Sequence, residues 1–70
     1  MRITYDPHVD ALYIRFEEAQ VTSKHLAEGI AADYDKDGKL AGIEILDAMT
    51  RFGDKSTLKK VTLEEIGLSA

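Results

Sequence analysis

Asp33-Tyr34-Asp35-Lys36-Asp37-Gly38, then five residues, then Glu44, matches the spacing of a calcium-binding EF-hand loop in full. In that reading Asp33, Asp35 and Asp37 supply oxygens at loop positions one, three and five. Gly38 makes the sharp turn, and Glu44 is the bidentate ligand at position twelve. The flanks oppose it, because an EF-hand needs a helix on either side. Ile30, Ala32 and Tyr34 alternate with a period of two, which suits a strand. Lys39 to Ile43 is poor helix, with Gly42 costing about 1 kcal/mol relative to Ala. The preferred reading is an acidic β-hairpin turn with no metal. A metal site of Asp33, Asp35, Asp37 and Glu44 stays as the alternative.

Asp6, His8 and Asp10 form a second group of donors, at i, i+2 and i+4. On a strand such spacing could hold a divalent ion, and His8 could serve as acid or base. Pro7 places them in a turn, where Asp is common because its side chain bonds the backbone two residues on. No catalytic residue is assigned. With no cysteine there is no thiol nucleophile or disulfide. Ser23, Ser56 and Ser69 lack a nucleophile elbow, and no glycine-rich phosphate loop is present. No cofactor is expected.

The elements that must carry these residues follow from the hydrophobic period. Ile3 and Tyr5, then Leu12, Ile14 and Phe16, alternate around the Asp6–Asp10 break, which predicts a β-hairpin. Val21 to Leu26 is a weak, edge-like strand, and Ile30–Tyr34 is either a new strand or, the preferred reading, its continuation through a bend at Gly29 as one long bent strand. Asp35–Gly38 is a hairpin turn. Lys39 to Leu46 leaves it with apolar residues on both sides, as expected of a central strand, and Glu44 is the odd charge on its face. That charge has Arg15 as a cross-sheet partner in reach. Asp47 is a candidate N-cap for a short helix ending at Phe52 before Gly53. Thr62-Leu63-Glu64-Glu65 has a capping-box pattern. The expected fold is α+β, a four-stranded antiparallel meander with a short helix packed on one face. Its boundaries are 1–52 for a β-rich domain and 53–70 for a polar linker with a short helical tail.

Composition narrows function by exclusion. The 70 residues are 44% hydrophobic and 31% charged, ordinary for a folded domain. Net charge is −4, and it is uneven. Residues 1–50 hold five basic and ten acidic side chains, and residues 51–70 hold four basic and three acidic. An acidic domain lacks the footprint for nucleic acid. There is no signal-peptide h-region and no run near the ~18 apolar residues of a membrane helix, so the expected setting is cytoplasmic with no membrane contact. A core this small, without disulfides, calls for a partner, and a homodimer is the first expectation.

Ile3-Thr4-Tyr5-Asp6, Asp10 and Leu12-Tyr13-Ile14 resemble the opening of the YuzE-like prokaryotic domains of unknown function. Asp33-Tyr34-Asp35, Asp37-Gly38, Leu40 and Gly42 to Ala48 resemble that family's second block. The resemblance implies antiparallel strands followed by a helix, and a hairpin rather than an EF-hand at the acidic segment. It brings no catalytic residue. Such families are often small partners encoded beside toxins. The leading expectation is therefore a small non-catalytic protein–protein interaction module, antitoxin-like, for a basic protein such as a toxin. Its expected binding surface is the strand face of Leu40, Gly42, Glu44 and Leu46. The alternative is a small metal- or ligand-binding domain using the acidic turns.

Overall fold

A computed structural model describes residues 1–54 and 56–67. Five antiparallel strands form one sheet: β1 (Arg2–Asp6), β2 (Ala11–Arg15), β3 (Thr22–Ala27), β4 (Ile30–Tyr34) and β5 (Leu40–Leu46). The spatial order is β1-β2-β5-β4-β3. Two expectations change here. The chain from 21 to 34 is a hairpin of two strands, not one bent strand, so the sheet has five strands rather than four. Nor is it a meander throughout, because β5 enters between β2 and β4.

The reason for the first change is local. Ala27 pairs with Ile30, leaving only Glu28 and Gly29 as the connection. Gly29 has φ +75°, a left-handed backbone that glycine adopts without a Cβ clash. The second change follows from long-range pairing. Ile14 sits opposite Ile43, and Ile43 opposite Ala32, so the apolar residues of β5 continue a row that begins on β2 and ends on β4. The expected weak edge strand is β3, with every residue exposed.

The acidic segment is a hairpin, as expected. Asp35 N–H donates to Lys39 O at 2.9 Å, Gly38 N–H donates to Asp35 O at 3.0 Å, and Gly38 has φ +80°. A single left-handed glycine after the bend marks a longer loop than a two-residue turn. A bulge follows: Asp33 pairs with Gly42 but Tyr34 pairs with Leu40, leaving Ala41 as the extra residue.

Helix α1 (Ala48–Phe52) ends at Gly53, whose N–H donates to Met49 O. Five residues at 1.5 Å each span about 7.5 Å, whereas five strands at ~4.8 Å spacing make a sheet about 19 Å wide. The helix is fastened to the turns at one end of the sheet and is too short to cover a face, which corrects the packing expected from sequence. After it, residues 57–59 form one 3₁₀ turn. Residues 60–67 hold no helix despite the capping-box pattern at Thr62. Glu65 and Gly67 take left-handed backbone there, and an isolated turn of helix is unstable in water. The end of the expected tail, 68–70, lies outside the described residues.

The sheet therefore has two different faces. On one, Ile3, Ile14, Ile43 and Ala32 form a row across four strands. Tyr5, Leu12, Ile45 and Ile30 form the next. The opposite face carries Thr4, Tyr13, Glu44, Ala31 and His25 in one row. Among the described residues the buried apolar side chains are few: Leu12, Ala32, Ala41 and Ala48. Among the described residues no helix is long and apolar enough to cross a membrane.

Candidate functional site

The polar face is organised around Asp33, which is 7% exposed. Ser23 on β3 donates its Oγ–H to one carboxylate oxygen at 2.5 Å, and Tyr13 on β2 donates its phenol to the other. Two strands separate Tyr13 from Ser23, so one carboxylate on β4 ties β2 and β3 to it across β5. The register explains how Tyr13 reaches it. Arg15, Gly42, Asp33 and Ser23 lie in one cross-strand row, with Tyr13 in the adjacent row. The phenol must therefore cross β5 diagonally, and Gly42 leaves the space. A Cβ at Gly42 would stand 2.6 Å from Tyr13 Oη.

The electrostatics follow from these bonds. Donation by Ser23, and then by Tyr13, holds the Asp33 carboxyl below the usual carboxylate range. The same Asp33 bond, aided by desolvation, pushes the Tyr13 phenol up. The Arg15 guanidinium lies 5.2 Å from the Tyr13 ring centroid, within cation–π range. It does not pair with Glu44. Glu18 takes it instead, bridging Arg15 and Arg2 at 3.0 Å each. Glu44 is exposed, and among the described residues its side chain makes no hydrogen bond or ion pair.

The four residues of the expected binding face are not equivalent. Gly42, Glu44 and Leu46 lie on the polar face, paired with Arg15, Tyr13 and Ala11. Leu40 lies beyond the bulge, opposite Tyr34. Gly42 is covered by Tyr13 of its own chain, so it admits that ring rather than a foreign backbone. Leu46 and Leu40 are 40% and 42% exposed.

The EF-hand ligand set is dispersed. Asp33 is occupied by Tyr13 and Ser23. Asp35 Oδ1 accepts from the backbone N–H groups of Asp37 and Lys39, each at 2.9 Å. Glu44 sits across the ladder opposite Ala31. Among the described residues no group of three or more His, Asp or Glu side chains is arranged to hold a metal ion. Asp35 does face an open cleft lined by Glu17, Ala19, Gln20, Lys36 and Asp37. There a hydrogen bond between the two carboxyls pushes Glu17 up, while the Lys39 amide and Glu17 hold Asp35 down.

The other turn cluster is also spent on structure. Asp6 accepts from the His8 N–H at 2.9 Å. Asp10 accepts from Tyr5 Oη at 2.7 Å and from the Met49 N–H at 3.0 Å. Its carbonyl accepts from the Ala48 N–H at 3.0 Å. Asp10 thus caps α1 from 39 residues away. Asp47 stands at the cap position but makes no side-chain bond there. The Met49 amide first, and Tyr5 next, lower the Asp10 carboxyl. At the same end Arg51 donates from Nε to Leu46 O at 2.8 Å and from a terminal nitrogen to Glu28 O at 2.5 Å. The Tyr13–Asp33–Ser23 chain, the Asp10 cap and the Arg51 clamp all escaped the sequence reading. Gly42 within a strand was the signal for the first, since it marks a close approach.

A family model described as a protein of unknown function, DUF2283, matches residues 2–48, from β1 through the first residue of α1. Comparison with curated proteins and with solved structures finds no match.

Proposed function

Since the chain belongs to the DUF2283 family, whose description names no activity, we propose that it is a small non-catalytic protein–protein interaction module. In this reading it is antitoxin-like, a cytoplasmic partner of a basic protein, and of the YuzE-like kind that its two sequence blocks resemble. The observation that carries the reading is Glu44: an exposed carboxylate in the middle of a five-stranded sheet, without an ionic partner among the described residues. Mid-sheet charge on an open face suits recognition of a cation on a flat surface. Leu46, on the same face, supplies apolar contact beside it. Tyr13, Asp33 and Ser23 satisfy one another and hold that face in register. They are poor candidates for acid–base work because their protons are already committed.

Purification of the tagged chain from its host, with mass spectrometry of what it retains, tests this. A basic protein retained by the native chain and released by Glu44→Lys is expected. Retention unaffected by Glu44→Lys removes this face as the site, and turnover of a small molecule dependent on Asp33 would replace the reading with an enzyme.

A further inference from the structure

The apolar face of the sheet lies opposite Glu44 and is separate from the surface proposed above. A single sheet is stable only when its apolar face is covered by a second layer. Here α1 is too short to cover it. Leu12 and Ala32 on this face are buried, but Ile3 at the β1 edge is 45% exposed, and Ile14, Ile43, Ile45 and Ile30 across the sheet are only half-buried. Among the described residues no large side chain is fully buried.

The area deficit has a definite size. The chain exposes 5757 Å², against about 4,400 Å² for a compact monomer of its mass. Residues 59–67, all exposed, contribute to the excess of roughly 1,400 Å², together with exposed apolar residues of the sheet such as Ile3. A subunit of a standard interface covers about 800 Å². The radius of gyration is 13.5 Å, where a compact chain of this length has about 11 Å.

We infer that this apolar face seats a second copy of the same chain, sheet against sheet, as the missing layer. The face is self-complementary: its two central rows carry isoleucine, leucine, alanine and tyrosine, and its one cation, Lys24, stands on the edge strand β3. The excess negative charge of the chain sits on turns and on the other face, so two copies can approach here without like-charge repulsion. A two-fold pairing places each face on its equal. Sheets stacked about 10 Å apart interdigitate such side chains. Glu44 of each copy then faces outward, so the dimer leaves the polar face open on both sides.

Neighbouring residues on opposite faces provide the test. The chain has no cysteine, so Ile3→Cys and Thr4→Cys each carry a single nitroxide, one on each face of β1. Light scattering of the native chain at about 100 µM is expected to give twice 7.8 kDa. The Ile3 label is expected to be immobilised, or to split the dimer, while the Thr4 label stays mobile in a dimer. A native monomer overturns the inference. So does a dimer in which the Ile3 label is mobile, or in which both labels are equally restricted, since those results point to pairing through strand edges or the polar face.

Discussion

Tyr13, Gly42 and Asp33 are tightly packed together, and each has a separate consequence when changed. Gly42→Ala would put a methyl group 2.6 Å from Tyr13 Oη and 3.0 Å from the Ile14 carbonyl. Displacing the ring breaks the Asp33 bond, so a loss of about 1–3 kcal/mol is expected in denaturant melts. Tyr13→Phe removes only the hydroxyl and is expected to cost about 1–2 kcal/mol. It should also move the Asp33 carboxyl upward toward its ordinary value in an NMR titration, because one of the two donors is gone. The pH dependence follows from the directions. The folded Asp33 and Asp10 carboxyls both lie below the usual range. Their stabilisation is fully present above the unfolded value of about 3.9 and is lost as pH falls through the folded values. Tyr13 lies above its ordinary value, so its share is present below about pH 10 and is lost as pH rises through the folded value. The melting temperature of the native chain should fall as pH drops from about 5 to about 2, and Asp33→Asn should flatten part of that fall.

The elements are joined at one end by α1, although it is only five residues long. Asp10 has φ +53°, a conformation few side chains tolerate, and Asp is among those that do. Its carboxylate takes up an amide that helix termini leave open. Asp10→Ala is expected to lower the melting temperature by about 4–8 °C, as loss of a cap does in a domain this small. Asp10→Asn should retain part of the bonding. A melting temperature unchanged in Asp10→Ala would show that the cap contributes nothing. The same end explains what the sequence disclosed and what it did not. Period-two runs at Ile3–Tyr5, Leu12–Phe16 and Lys39–Leu46 were legible because alternation is local. So were Gly53 as the stop of α1 and the Asp35–Gly38 turn. Asp47 adjoins the helix and so is the local candidate for its cap, but the bond to Met49 comes from a residue 39 positions earlier, and local spacing cannot reveal that. The EF-hand match was complete in spacing and lacked its helices. Calcium is therefore expected to leave the melting temperature unchanged, since Asp33 and Asp35 are already bonded elsewhere and Glu44 lies across the ladder. A rise of several degrees at micromolar calcium would contradict that geometry.

At the scale of the whole molecule, the sheet has one polar face, held by the Tyr13–Asp33–Ser23 bonds, and one mainly apolar face. The first was hidden in the sequence because Tyr13, Asp33 and Ser23 meet only after β2 pairs with β5. The second is visible as apolar alternation, but its incomplete cover is not, because the length of α1 alone does not say where it packs. The central claim is that the apolar face is covered by a second copy, so folding and association are linked. The melting temperature measured across protein concentrations, from about 1 to 500 µM, tests this most directly. Mass action makes a folded dimer more stable as concentration rises. The expected result is a steady increase in melting temperature with concentration in the native chain and in Glu44→Lys alike, because Glu44 faces away from the interface. A melting temperature that stays constant over that range would contradict the claim and describe a monomer that holds its sheet face open to water.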